Sequence, residues 1–357
     1  MGSISGASTA ARLLQGALAP TTYGQYGRLF AEFAEYCEAQ GVSALPADSW
    51  TVVCYVGHIA DLGTWAAGSL QPIFSAINDA HRSLELDPPA VGGYFLRRVR
   101  QGLQRAQVAL PGGTRDSRVP LPASAVIAVV ADGEAAVEHE LARLRGDAAI
   151  ALTSLFAGRQ DSAVHLRTRD FGVDEQFLWL RLTEKGKKHH VVRRVVRLPL
   201  SQQPTAGHSS ALPRVAALLK RYCDARTAAV CSGDVPEFLF QLSGESRPTT
   251  RHMEGWLAAA LQRVDVSAPQ GFAYRGHSLR SMGASAMAAI GVDRHLLVWL
   301  GGWARGSSTV EVHYIDPTVL PSPAAYQLFG WALTRQYDAD TGVICRAEVL
   351  PDPMLEM

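Results

Sequence analysis

His277-Ser278-Leu279-Arg280, followed by Gly301-Gly302-Trp303 and then Tyr314, is the stretch from which the rest of the chain is read. It gathers an imidazole, a guanidinium, an indole N–H and a phenol within a short helical region. A protein needs such groups to attack a phosphodiester without a metal. Guanidinium forks and an imidazole neutralise charge on phosphate oxygens, and the phenol can act as nucleophile. An H-x-x-R alone is a weak signal, so its meaning depends on what lies upstream.

Two upstream sites complete the set. Ala157-Gly158-Arg159 follows the apolar helical run from Ala148 to Phe156, which puts an arginine at a helix end facing a cleft. Glu184-Lys185-Gly186-Lys187-Lys188 separates two alternating runs, Phe177 to Leu182 and Val191 to Leu198. That pattern predicts a β-hairpin with a lysine-rich turn. The chain has four lysines against thirty arginines, and three of the four lie in this turn. Where arginine is the default cation, clustered lysine points to a role arginine cannot fill, because lysine can give up a proton and be reloaded.

With these residues in order, the chain resembles the tyrosine recombinase (phage integrase) family, its Cre-like branch most closely. The resemblance covers most of the chain. It implies a mainly α fold with a small β-sheet (α+β), made of an N-terminal helical core-binding domain and a catalytic domain. It places the family's first arginine on Arg159, its hairpin lysine on Lys185, its H-x-x-R pair on His277 and Arg280, its His-or-Trp position on Trp303, and the nucleophile on Tyr314. The implied activity is site-specific DNA recombination through a 3′-phosphotyrosyl link, by a tetramer on two duplexes, with no cofactor and no metal. Arg159 and Arg280 would hold the non-bridging oxygens, and His277 would donate to the same phosphate or help deprotonate the phenol. Lys185 would protonate the leaving 5′-oxygen, with Lys187 or Lys188 as substitutes if the turn register differs.

Two features depart from the family pattern. The interval from Trp303 to Tyr314 is about two residues longer than is usual in the family, with Arg305-Gly306-Ser307-Ser308-Thr309 as the insertion. The acidic residue expected three positions after the first arginine is Ser162, with Asp161 beside it. Other uses of these residues stay open: Tyr314 as a packing phenol with Tyr326 or Tyr274 in its place, Trp303 as core filler, and Lys185 as a plain phosphate contact. A type IB topoisomerase-like enzyme and a catalytically inactive DNA-binding relative are the competing functions.

Composition sets outer bounds. The chain of 357 residues suffices for two domains with ordinary cores. No apolar run approaches the roughly 20 residues of a membrane span, and the first residues lack the basic and apolar parts of a secretory signal. Five scattered cysteines with no C-x-x-C suggest a reducing compartment, so an intracellular, DNA-associated location is expected, nucleoid or nucleus. A net charge of +1 argues against a strongly basic DNA binder, but the charge is segregated. Arg97, Arg98, Arg100, Arg105 and Arg118 follow one helix and the linker after it, and Lys187 and Lys188 crowd the hairpin. These seven are the candidate DNA contacts, with double-stranded DNA the expected partner.

The expected organisation runs from a tail (1–20) to a helical DNA-clamping domain (21–110). The linker Leu110-Pro111-Gly112-Gly113 to Pro122 marks the boundary at 111–122. The catalytic domain spans 123–338 and a second tail 339–357. Thr21-Thr22 should cap the first helix, Asp48-Ser49 the second, and a last helix should run from Ala324 to Tyr337. Set off by prolines, that helix either packs on its own domain or joins a neighbouring subunit.

Overall fold

The computed structural model describes residues 18, 20–62, 70–89, 94–109, 119–135, 141–185, 191–200, 205–229, 236–242, 244–304 and 306–333. Lys187, Lys188 and Arg118 lie outside the described residues, as do both predicted tails almost entirely. The chain divides into two compact units, Met1–Asp116 and Ser117–Met357.

The first unit holds α1 (Pro20–Ala39), α2 (Ser49–Asp61), α3 (Leu70–Ser83) and α4 (Tyr94–Ala109). The expected cap at Thr21-Thr22 is not used, because helix α1 already begins at Pro20, whose fixed φ suits a first turn. Asp48 does cap α2, accepting from the Thr51 N–H at 2.6 Å. The aromatic stripe of α1 is graded: Phe33 is fully buried, Phe30 and Tyr26 pack at the edge, and Tyr23 is exposed. Phe33 meets the Tyr55 ring edge-on, with centroids 5.2 Å apart. Buried His81 ties the unit together, its Nδ1 bonding the Ile77 carbonyl at 2.7 Å and its Nε2 accepting from the Ala47 N–H at 2.9 Å.

The second unit is built around one helix. From α5 (Ala123–Ala135) the chain enters α6 (Leu141–Leu155), in which every residue from Gly146 to Leu155 is buried. A helix without a polar face must be surrounded, and here α5, α8 (Leu212–Ala228), α9 (Thr250–Arg263) and α10 (Gly276–Ala289) pack around it. The short α7 (Gln160–Val164) leads to an antiparallel sheet, ordered β1-β2-β3. Strands β2 (Phe177–Lys185) and β3 (Val191–Pro199) form the predicted hairpin. Its register sets Leu180 against Val196 and Leu178 against Leu198, putting all four on the buried face. Strand β1 (Phe171–Val173) is an addition: three residues around a glycine carry too little pattern to be seen in sequence. After α10 come α11 (Arg294–Gly301), α12 (Thr309–His313) and α13 (Pro323–Phe329). The last helix departs from the expected Ala324–Tyr337. It gives way at Gly330 to a 3₁₀ turn, and Leu328, Phe329 and Trp331 are buried in their own domain.

Asp147, on α6, is almost fully enclosed and bridged by Arg263 and, at 3.8 Å, by Arg143. Asp132 accepts from the same two arginines. Burial outweighs both guanidiniums and pushes the Asp147 carboxyl up to about 6, while the Arg263 side of the pair is shifted as an ordinary ion pair would shift it. Desolvation dominates, because an ion pair shared by partly exposed arginines recovers only part of the cost of burying a carboxylate. The folded state then holds a proton that the unfolded chain has lost between about pH 4 and pH 6. The stabilisation from that proton is complete below about pH 4 and disappears as pH rises past 6. Asp147→Asn should therefore gain on the parent protein as pH rises from 4 to 7, by on the order of 2–3 kcal/mol in melts across that range. A difference that stays flat, or falls with pH, would mean that the ion pairs win.

Candidate active site

The site is assembled at the C-terminal end of α6 and the N-terminal half of α10. Helix α6 stops at Leu155, and Ala157 takes a left-handed φ of 47°, turning the chain so that Arg159 caps α7 from an exposed, extended position. The carbonyl of Ala157 receives the Arg280 Nη1–H at 2.7 Å. This bond ties the backbone two residues before Arg159 to the side chain of Arg280, so the first arginine and the H-x-x-R arginine share one anchor. Arg280 is buried, a rare position for a guanidinium unless it is paired.

Two aromatic rings lie against it. The Arg280 guanidinium carbon lies 3.8 Å from the centroid of the Trp303 ring and 5.0 Å from that of Tyr314. Both distances are within cation–π range. Trp303 and Tyr314 have centroids 5.3 Å apart, and exposed His277 is 6.2 Å from Tyr314. The indole Nε1–H of Trp303 is buried and has no hydrogen-bond partner among the described residues. A buried orphan donor costs on the order of 1–3 kcal/mol and is uncommon enough to need a reason.

The Gly301-Gly302-Trp303 motif explains how the indole gets there. Gly302 ends α11 at φ 66°, and the bonds Gly302 N–H to Trp299 O and Trp303 N–H to Val298 O make a Schellman cap. Gly301 is needed for space: a Cβ there would lie 1.7 Å from the Trp303 ring. The predicted insertion is taken up by a turn in which Gly306 has φ 72°. Helix α12 then begins at Thr309, and the long interval still returns Tyr314 to the Trp303 ring. Tyr314 lies one residue past α12, as its C-cap, and not within a helix as the sequence suggests.

Ser285 was not legible as functional, being one hydroxyl in an alanine- and serine-rich helix. Its Oγ donates to the Tyr314 carbonyl at 3.1 Å and accepts from the Asp316 N–H at 2.8 Å. Helix α10 thus grips the backbone immediately after the residue that carries the phenol. Ser285→Ala removes both bonds and should destabilise the protein by about 1–2 kcal/mol, with Ser285→Thr recovering most of the loss. Identical melting curves for the alanine variant and the parent protein would contradict the grip.

The other candidates are less gathered. Lys185 is the last residue of β2, in register with Val191. Asp161 pairs with His165 one turn along α7, at 3.2 Å, and not with an arginine of the site. The substitutes for Tyr314 are engaged elsewhere: Tyr326 stacks on His208, and burial pushes the Tyr274 phenol up. In the first unit, Arg97, Arg98 and Arg105 are exposed along α4 and line a groove of about 460 Å³, with Arg98 stacked on Tyr94. Arg100 is on the same helix, its side chain outside the description. Among the described residues no group of His, Cys, Asp or Glu could hold a metal ion, and no helix is long and apolar enough to cross a membrane.

With this geometry in hand, the chain superposes on the Tn1549 transposon integrase in complex with transposon right end DNA. The TM-score is 0.56 at 11% sequence identity, covering 87% of this chain and 94% of the other. The fold is that of a tyrosine recombinase. The XerH site-specific recombinase bound to difH substrate gives 0.51 at 14% identity over 76% of this chain and 68% of that one. A lambda integrase dimer bound to a COC′ core site gives 0.51 at 15% identity over 87% and 77%. No family model and no curated protein matches the sequence. The shared feature is the fold, mainly helical with one small antiparallel sheet, at 11–15% sequence identity.

Proposed function

We propose that this protein is a site-specific DNA recombinase of the Cre-like type, which cuts and rejoins duplex DNA through a covalent link at Tyr314. The convergence of Arg280 on Trp303, Tyr314 and the Ala157 carbonyl beside Arg159 carries this reading. In the reaction the Tyr314 oxygen bonds to the scissile phosphorus and the bond to the 5′-oxygen breaks. The phenolic proton leaves with the help of His277, and Lys185, or Lys187 or Lys188, supplies a proton to the departing 5′-oxygen. The free 5′-hydroxyl reverses these steps on a new partner strand, and because the ester keeps the bond energy, no nucleotide cofactor is consumed. Arg159 and Arg280 stabilise the charge that develops on the non-bridging oxygens. The orphan Trp303 N–H gains an acceptor in the same phosphate.

The first unit, with Arg97, Arg98, Arg100 and Arg105 along α4, supplies backbone contacts to the duplex, joined by Arg118, Lys187 and Lys188. The two units correspond to a clamp (21–110) and a catalytic domain (123–338) joined by the linker at 111–122. Assembly is a tetramer on two duplexes. The C-terminal helix joins the protomers, although Leu328, Phe329 and Trp331 on it and in the turn after it are buried in their own domain.

The test is a nicked suicide duplex carrying the target site. The parent protein should accumulate a covalent adduct and Tyr314→Phe none, with two sites brought together in one complex. An adduct without pairing of sites would indicate a topoisomerase-like enzyme, and absence of any adduct an inactive DNA-binding relative.

A further inference from the structure

A cleft of about 500 Å³ in the second unit has four arginines in its wall: Arg167, Arg169, Arg181 and Arg247. The phosphate chemistry above uses none of them. Two have carboxylate neighbours, but loosely, Arg167 to Glu237 at 3.3 Å and Arg181 to Asp170 at 3.6 Å. Close charge-assisted pairs fall nearer 2.7–2.9 Å. Exposed Arg169 and Arg247 have no carboxylate partner among the described residues, and Arg247 rests 5.3 Å from the centroid of the Phe238 ring. A guanidinium lying over a ring keeps its N–H fork available. Four like charges in one concavity, half of them unmatched, raise the local potential and favour an anion there.

The location of the cleft narrows the choice of anion. Of its lining residues, Ser162 lies on α7 and His165 is the C-cap of that helix, whose N-cap is Arg159. Arg181 lies four residues before Lys185 on β2. The cleft is therefore framed by the two elements that carry the first arginine and the hairpin lysine.

We propose that this cleft binds backbone phosphates of the DNA strand being cut, next to the scissile one; this rests on the recombinase reading above. Such contacts fix the register of the strand over Arg159 and carry no base information.

The experiment compares the full chain with Arg169→Ala/Arg247→Ala and with Arg169→Lys/Arg247→Lys. Duplex affinity is measured against salt concentration, and then on duplexes with single methylphosphonate substitutions around the cleavage point. Losing two phosphate contacts should flatten the log–log salt slope by about 1.8, at roughly 0.9 per contact, and the lysine pair should restore it. Neutral linkages at one or two positions within a few nucleotides of the cut should weaken the parent protein and leave the alanine pair indifferent. An unchanged slope and scan in the alanine pair would overturn the proposal, as would a cleft that takes an acidic protein segment instead. Melting curves identify a misfolded variant, and the lysine pair then decides. Tyr314→Phe should keep the parent slope and scan. Loss of adduct formation in the parent itself would sink the recombinase reading without touching this result.

Discussion

Arg280→Lys is expected to slow covalent adduct formation by about 10²- to 10³-fold, with little change in DNA affinity. The charge survives this exchange, but the shape does not. Arg280 lies over the Trp303 ring at 3.8 Å while donating Nη1–H to the Ala157 carbonyl at 2.7 Å. A planar fork can stack, anchor the Arg159 turn and still offer an edge to a phosphate. An ammonium is a point charge on a flexible stem and cannot do these things together. Single-turnover kinetics on the suicide duplex, with affinity measured separately, read the effect. A loss below tenfold would mean that Arg280 acts only through its charge.

Gly301→Ala should be nearly as damaging, although residue 301 has no chemistry of its own. A Cβ 1.7 Å from the Trp303 ring cannot coexist with the indole where it stands. The rigid ring must leave its place over Arg280, or α11 must shift. Overpacking of this kind costs typically 1–3 kcal/mol. We expect a lower melting temperature, altered tryptophan emission, and adduct formation reduced more than tenfold. Gly302→Ala provides the contrast. There the cost comes from the left-handed φ of 66°, of order 1–2 kcal/mol. The first substitution should therefore cost rate out of proportion to stability, and the second stability out of proportion to rate. Parallel losses in both variants would show that the indole does not need its position.

What was legible in the sequence follows from which forces leave a periodic or stereochemical mark. The hairpin showed because alternate residues of β2 and β3 are buried, so Leu178, Leu180, Leu182, Val196 and Leu198 recur at every second position with arginines such as Arg181 and Arg197 between them. The cap at Asp48 showed because its carboxylate is a specific acceptor, while the start of α1 was misplaced because Pro20 opens a helix as well as Thr21 would cap one. The end of α13 was overestimated. Its apolar residues continue in helical spacing through Leu333, and nothing local announces the 3₁₀ turn at Gly330 that seats Trp331 in the core.

At the site, Arg280, Trp303, Tyr314 and His277 were marked by residue type and order, and the structure brings their side chains together. The anchors between them were invisible. The Ala157 carbonyl and the Ser285 hydroxyl act across long stretches of chain and belong to residue types found in any helix. The arginine cleft was missed for a related reason: Arg167, Arg169, Arg181 and Arg247 are dispersed in sequence and become one wall only through the packing of α7, β2 and the segment before α9.

The most direct check on the central claim is the position and polarity of the DNA–protein bond. Adduct trapped on the suicide duplex can be digested and sequenced by mass spectrometry. The account predicts a single modified residue, Tyr314, carrying a nucleotide through its 3′-phosphate. A modified Tyr274 or Tyr326, or a link through a 5′-phosphate, would contradict it.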